Sequence, residues 1–306
     1  MIDFQAKILG DNVRNQALFQ ALKRVIQKGK TTVADIGSGT GFLSFLALTL
    51  GAKQCYLYEH SEALELAKLI ARKNHLRHCH FIPFHSSEVQ NPVKVDLAIS
   101  ETLGNFAYEE HLIENMEDAK RFLKPGGTLI PKKLTQYIVP VISPRIMREI
   151  DVWDQIGFGI DLQAARDVAL HNLYVQKIQK GDLLHGAEAV QSWDRIDFQK
   201  KNTSVRHGEV RWTMRKNLTI FGFAAFWDCE LVPGVHLSTS PFAPRTHWDQ
   251  IFLPLLEPIT LRAGDRLTLR MTSDSRHEVG LRVKWETRVQ GKGSRKKTSM
   301  QDTLRG

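Results

Sequence analysis

Cysteine is scarce in this chain of 306 residues: Cys55, Cys79 and Cys229 are the only three, widely spaced and odd in number. That excludes a disulfide-built scaffold and makes a reducing, cytoplasmic setting the expectation. Long apolar runs are missing as well. The longest candidate, Phe42 to Leu50, stops at Gly51, short of the ~18 residues a membrane-crossing helix needs. No basic segment leading into an apolar core opens the chain, so neither membrane association nor a secretion signal is expected. Internal repeats are absent. His75, His78, Cys79, His80 and His85 cluster, yet match no zinc spacing, and alternate residues of a strand face opposite ways, so no metal is expected. Acidic residues are outnumbered, 33 Asp and Glu against 42 Lys and Arg, a net charge of +9. Clustered basic charge is the electrostatic footprint of a nucleic-acid partner, which makes that the first class to weigh.

What is present is a chain of two textures. Up to about residue 133, apolar segments at Thr32–Ile36, Gln54–Tyr58, His80–Phe84, Val95–Ser100 and Thr128–Pro131 read as strands. Between them, Ser61 is placed to cap a helix carrying Ala63, Leu66, Ala67 and Ile70, and Glu110 to Leu123 reads as a helix stopped by Lys124-Pro125-Gly126-Gly127. Strand–helix alternation predicts an α/β domain with a parallel sheet covered on both faces. From 134 to 290 the pattern changes. Leu134–Ser143, Leu218–Leu231, Ile251–Leu261, Arg266–Thr272 and Gly280–Val289 read as strands without intervening helices, two of them strictly alternating, which predicts an antiparallel β domain. A helical insertion around Asp161–Leu170, within about 150–180, interrupts it. Residues 291–306 are basic and poor in apolar side chains, and are expected to be a mobile tail.

The first strand runs into a glycine loop, Asp35-Ile36-Gly37-Ser38-Gly39-Thr40-Gly41-Phe42. Glycines there let the backbone approach a ligand at the carboxyl edge of the sheet. Glu59, eighteen residues beyond Gly41, ends the second strand where a carboxylate can accept hydrogen bonds from ribose hydroxyls. A dinucleotide fingerprint would want Gly or Ala where Phe42 stands. Asp35 before G-x-G-x-G resembles instead the first motif of class I S-adenosylmethionine-dependent methyltransferases.

A second loop leaves the fourth strand on the same edge. Its carboxylates Glu101 and Glu110 stand nine residues apart around Gly104. Two carboxylates converging on one pocket repel unless a cation lies between them. A guanidinium suits that place, being planar, permanently charged and able to bond a carboxylate through two parallel N–H groups. The plainer alternative makes Glu110 the first residue of the next helix, favoured there by the helix dipole.

With Ser100, Glu101, Gly104 and Glu110 in place, the chain resembles the protein arginine methyltransferase family. A second stretch, Ser238-Thr239-Ser240-Pro241 leading to Thr246-His247-Trp248-Asp249-Gln250, is similar to that family's Thr-His-Trp loop. The resemblance covers about residues 5 to 290. It implies a Rossmann-like methyltransferase domain, a β-barrel domain joined at Pro131, and a helical arm near 156–180 that builds a head-to-tail homodimer. It also implies S-adenosylmethionine as cofactor and S-adenosylhomocysteine as product. Arg14 is implied to pair with the cofactor carboxylate, Glu59 to hold the ribose, and Ser86, Ser87 and Glu88 to meet the adenine. Glu101 and Glu110 would clamp the acceptor guanidinium, with His247 as a proton acceptor and Trp248 against the substrate.

The chain departs from the family pattern in several places. Gln5 stands where His is usual, Thr102 and Asn105 replace common aromatics, Leu103 replaces Met, and Glu109 stands where Tyr is frequent. The family's N-terminal helix over the cofactor is expected to be largely missing. These changes keep the carboxylates and alter the walls, so a guanidino or amino metabolite stands as alternative acceptor to an arginine-containing protein or peptide. A cofactor-binding recognition protein without turnover is the third reading. Arg206, Arg211, Arg215 and Lys216 near Trp212 read as a solvated strand face more readily than as a nucleic-acid site. A basic body around acidic chemistry is expected to disfavour very basic substrates.

Overall fold

The computed structural model describes residues 2–291 and 296–305. Two helices open the chain, α1 (Ile2–Leu9) and α2 (Asn12–Val25), so a helix does precede the glycine loop. The side chain of Gln5 in α1 lies over Gly39 of that loop. Five strands follow in alternation with helices: β1 (Thr32–Ile36), α3 (Phe42–Thr49), β2 (Gln54–Tyr58), α4 (Ala63–Lys73), β3 (Cys79–Ile82), β4 (Val95–Ile99), α5 (Leu112–Ala119) and β5 (Leu123–Ile130). All pairings are parallel, in the order β3-β2-β1-β4-β5. The central strands are apolar and buried almost throughout, because helices cover both faces and no strand face meets water.

Two boundaries move from the sequence expectation, for one reason. The helix expected from Glu110 starts at Leu112, behind a left-handed His111 (φ 55°), and Glu110 lies in the preceding turn. It also ends at Ala119, and the Lys124-Pro125-Gly126-Gly127 breaker falls inside β5, where Gly126 (φ +77°) bends the strand. Register against β4 shifts between Val95 and Leu97, so the breaker interrupts pairing without ending the strand.

The β domain follows: β6 (Lys133–Val141), α6 (Arg145–Ile150), α7 (Gln163–Leu170), β7 (Tyr174–Gln176), β8 (Gln191–Asp197), β9 (Val205–Thr213), β10 (Leu218–Val232), β11 (Val235–Ser238), β12 (Gln250–Leu261), β13 (Arg266–Asp274), β14 (Arg282–Gln290) and β15 (Lys296–Asp302). One antiparallel sheet runs β7-β12-β10-β6-β8 with β11 beside β10, the other β15-β14-β13-β9. The expected barrel is thus two barrel-like sheets. Their inward side chains, among them Trp212, Phe223, Trp285 and Leu269, join one apolar core with Leu97, Leu103 and Phe106 of the first domain. A smaller core of Val139, Ile146, Met147, Leu170 and Phe252 roots the arm helices α6 and α7.

The tail expected to be mobile is a strand where it is described. β15 pairs with β14 from Lys284↔Asp302 to Gln290↔Lys296, while residues 292–295 lie outside the described residues. Polar anchors hold it in place of apolar ones. The buried Gln301 donates through Nε2 to Leu170 O (2.5 Å) and Pro254 O (3.0 Å), and Arg282 grips Asp302 through two N–H groups (2.9 and 2.5 Å). Amide hydrogen exchange checks this directly: those β15 amides that pair with β14 should exchange far more slowly than coil rates, and coil-like exchange across 297–301 would contradict the pairing.

Candidate active site between the two domains

The glycine loop sits at the carboxyl edge of β1. Gly37, Gly39 and Gly41 adopt φ of +69°, +53° and +79°, the left-handed region that glycine enters without penalty. A side chain on Gly41 would also meet the Phe45 ring at 2.6 Å, so this turn tolerates nothing larger. Asp35, expected to face the cofactor, is 1% exposed and turned to α3: its Oδ2 accepts from Ser44 Oγ (2.8 Å) and Ser44 N (3.2 Å). Burial, outweighing the Ser44 bonds, pushes its carboxyl up to about 6, with Glu59 and Glu101 adding to the rise. Asp35 therefore locks strand to helix and shapes the loop from behind.

Glu59 does reach the loop. Its carboxylate accepts from Gly39 N (2.9 Å) on one side and Ser61 N (2.8 Å) on the other, at the end of β2. Ser38 Oγ and Ser86 Oγ, both on this edge, are buried without a hydrogen-bond partner. Buried hydroxyls without partners are uncommon, and here they mark an edge built for a polar ligand. Ser87 and Glu88, expected at an adenine, are instead exposed and spent on a local turn: Ser87 Oγ meets His85 Nδ1 (2.7 Å) and the Glu88 carboxylate accepts from His85 N (3.1 Å). Of the three residues, Ser86 is the one facing inward.

The acidic loop leaves β4 beside this edge. Arg14 of α2 donates through Nε to Glu101 Oε2 (2.7 Å) and through Nη2 to the same oxygen, both side chains nearly buried. The structure thus places Arg14 on Glu101, where a cofactor carboxylate was the expected partner. Glu110 ends the same loop, exposed at the surface yet crowded by neighbouring protein and within reach of the Glu101 charge. Among the described residues its carboxylate accepts no hydrogen bond. Removal from bulk water, then the charges of Glu101 and Glu109, push its carboxyl up to about 7 against the opposing pull of Arg14. Glu109 has a different job. It accepts from Asn105 N (3.0 Å) and Phe106 N (3.2 Å), coiling the loop around itself so tightly that a Cβ on Gly104 would strike its Oε2 at 2.4 Å.

The β domain holds this loop from outside. Trp227 Nε1 donates to Gly104 O (3.0 Å), Trp248 Nε1 to Leu103 O (2.8 Å), and Asp249 N to Asn105 Oδ1 (2.9 Å). Tyr108 Oη donates to Asp194 Oδ2 (2.5 Å), and Arg206 binds the same carboxylate through two N–H groups (2.9 and 2.6 Å). Burial and the Asp194 charge keep the Tyr108 hydroxyl protonated far above its usual range. Trp248, expected against substrate, is 5% exposed and packs edge-on to Trp227 (5.1 Å between ring centroids). His247 donates its backbone N–H to Asp11 Oδ2 (2.7 Å), and its Nδ1 meets the same oxygen at 2.8 Å. A carboxylate only accepts, so Nδ1 carries the proton and Nε2 has a free lone pair. Burial moves the His247 ring below its usual pKa despite Asp11, which leaves it neutral near pH 7.

Sequence reasoning missed Asp11, Glu109, Tyr108, Asp194 and Trp227. Asp11 carried a readable signal, an Asp directly before a helix, and it does cap α2 by accepting from Arg14 N (2.9 Å). Glu109 acts within its own loop, on Asn105 and Phe106; Tyr108, Asp194 and Trp227 act across the domain boundary and leave no local pattern.

Comparison with known proteins divides the chain at the same place. Residues 132–291 match the family model described as arginine methyltransferase oligomerization subdomain, and residues 15–133 match that of ribosomal protein L11 methyltransferase. Histone-arginine methyltransferase CARMER of Drosophila persimilis is 28% identical over 320 residues, covering 94% of this chain and 56% of the relative. That of Drosophila ananassae is likewise 28% identical, over 300 residues with the same coverage. The chain thus spans a little over half the length of these curated relatives. Among solved structures, the Trypanosoma brucei PRMT1 enzyme–prozyme heterotetrameric complex with AdoHcy superposes with a TM-score of 0.85 at 23% identity, covering 98% of this chain and 96% of that one. Arabidopsis thaliana protein arginine methyltransferase 10 gives 0.81 at 21% identity, covering 99% and 97%.

The raised Glu110 carboxyl makes a stability prediction. Its folded pKa of about 7 exceeds the ordinary 4.5, so the folded protein holds this proton more tightly than the unfolded chain. Stability from Glu110 is greatest below pH 4.5 and falls as pH rises through about 7. Urea unfolding of wild type and Glu110→Gln should therefore diverge with rising pH, wild type losing ground; a constant difference would refute the raised pKa.

Proposed function

This chain belongs to the protein arginine methyltransferase family, and from that membership we propose that it transfers methyl groups from S-adenosylmethionine to the guanidinium of arginine in protein or peptide substrates. One observation carries the reading: Glu101 already holds a guanidinium, that of Arg14, while Glu110, within reach of the Glu101 charge, has no hydrogen-bonding partner among the described residues. The pocket is built to bind this cation and contains one of its own.

Gly37, Gly39 and Gly41 would admit the cofactor to the carboxyl edge of β1, with Glu59, Ser38 and Ser86 offering polar contacts and Arg14 a cation for its carboxylate. The bound cofactor supplies an electrophilic methyl group on a sulfonium. Arg14 can release Glu101 only by exchanging one carboxylate for another, which ties cofactor loading to opening of the acceptor site. Glu101 and Glu110 then orient one guanidinium nitrogen for in-line attack. Orientation of this kind removes a large entropic cost, on the order of 7–11 kcal/mol in favourable systems. A guanidinium with a pKa of about 13.8 keeps its proton until the new N–C bond forms. Glu110, with its carboxyl near 7, and the free Nε2 of His247 are the groups suited to take that proton.

Assembly is part of the proposal. Phe158 is 93% exposed and Ile160 67% exposed at the tip of the arm, an apolar pair with no cover within one copy of the chain. A second copy would cover it, as a homodimer. Replacing Phe158 and Ile160 together by Glu should shift the protein to monomer in analytical ultracentrifugation; a dimer unchanged by the double substitution would rule out this contact.

Transfer itself is tested with radiolabelled methyl donor and arginine-containing peptides, read as label in arginine after acid hydrolysis. Glu101→Gln should lower transfer by roughly a hundredfold or more, since the cation loses its charged partner. Donor binding, measured by calorimetry, should stay within several-fold of wild type. Normal turnover by this variant would sink the carboxylate clamp.

A further inference from the structure

A cavity of about 360 Å³ opens between the base of the arm and the loop that leads into Trp248. Residues 177–180 form one wall and residues 239–246 the other. The buried Gln250 ties the walls together: its Oε1 accepts from Ile178 N (3.0 Å) and its Nε2 donates to Thr239 O (2.8 Å). This is a fixed recess rather than a gap between loops.

Its lining is mainly basic. Arg145, Arg166, Arg206 and Arg282 are each paired with an aspartate. Lys177, Lys180 and Arg245, which line the cavity and are exposed, have no acidic partner among the described residues. Asp182, which follows this wall, is already engaged by Arg145 and by Gln179 N. Lys180 Nζ rests 5.8 Å from the Phe242 ring centroid, a contact that positions a cation without neutralising it. Asp249 is the one carboxylate of the lining, against three cations.

The cavity adjoins the proposed acceptor site through a single stretch of chain. Trp248 and Asp249 line it and also hold Leu103 and Asn105 of the acidic loop. We infer that the cavity is a substrate subsite that takes an Asp or Glu carboxylate lying near the target arginine, so that acidic rather than basic sequences are preferred. The inference rests on the acceptor assignment made above. It gives the basic excess of the chain a local use: the same protein holds a cation at Glu101 and Glu110 and an anion beside Trp248, and reads the order of charges along a peptide.

The test uses peptides with one arginine and a single Glu moved stepwise along both sides, each matched to a peptide with Gln at that position. Binding is read by fluorescence anisotropy and transfer by label incorporation, on the wild-type protein and on K177E/K180E and R245E. At one or more positions the Glu peptide should bind and turn over better than its Gln partner, by about three- to tenfold, since exposed ion pairs each contribute only a few-fold. The advantage should shrink with salt. In K177E/K180E it should vanish or invert, and in R245E it should fall. Equal binding of Glu and Gln peptides at every position, or an advantage that survives both variants, would overturn the subsite. Anisotropy reads the cavity even where no label is transferred, so a peptide bound without methylation counts against the transfer reading alone.

Discussion

Two indole N–H groups from one domain hold the acidic loop of the other. Trp227 on Gly104 and Trp248 on Leu103 bond backbone carbonyls that no local element would satisfy. The loop needs that support. It bears three acidic side chains within ten residues, Glu101, Glu109 and Glu110, and the charges of the first two raise the cost of ionising the third. Left alone, such a segment would spread. The indoles, the Asp249 amide and the Tyr108–Asp194–Arg206 triad fix it from outside, and each buried bond of this kind contributes about 1 kcal/mol, more where a charge takes part. The two family models overlap only at residues 132–133, yet the site belongs to neither half. It exists only where both meet.

Helix α2 supplies the rest of the wiring in one turn. Asp11 caps the helix and takes both the backbone N–H and the ring Nδ1 of His247; Arg14, three residues on, reaches Glu101. The path runs from the neutral imidazole to the Asp11 carboxylate, through the Arg14 backbone N–H to its guanidinium, and on to the Glu101 carboxylate. Each member orients the next, so His247 is held in one tautomer and Glu101 in one position before any ligand arrives.

Much of this was legible in the sequence. β1 and β2 fall where their apolar runs stand, the glycine loop joins β1 to α3 as its spacing requires, and Glu101 lies near enough for its charge to act on both Glu110 and His247, although more than a hundred residues separate the loops. What failed did so for physical reasons. Asp35 reads as a ligand residue, but burial beside Ser44 gives it a structural task that no motif distinguishes. β8, β9 and β15 were missed because their alternation is written in polar and charged residues, satisfied by partners far along the chain, such as Asp302 by Arg282 and Asp194 by Arg206. Pairing of that kind depends on what lies across the sheet, and a local window does not contain it.

The contact between Arg14 and Glu101 has a bearing on what the site ignores. Any cation entering the cleft competes with a guanidinium tethered to the same molecule, whose effective concentration no free solute can match. Affinity for an incoming guanidinium is therefore a difference between two similar embraces, small for a lone ion and large only for a ligand anchored at further points. Until another carboxylate draws Arg14 away, a stray guanidinium or amine meets a Glu101 already held by the protein's own side chain.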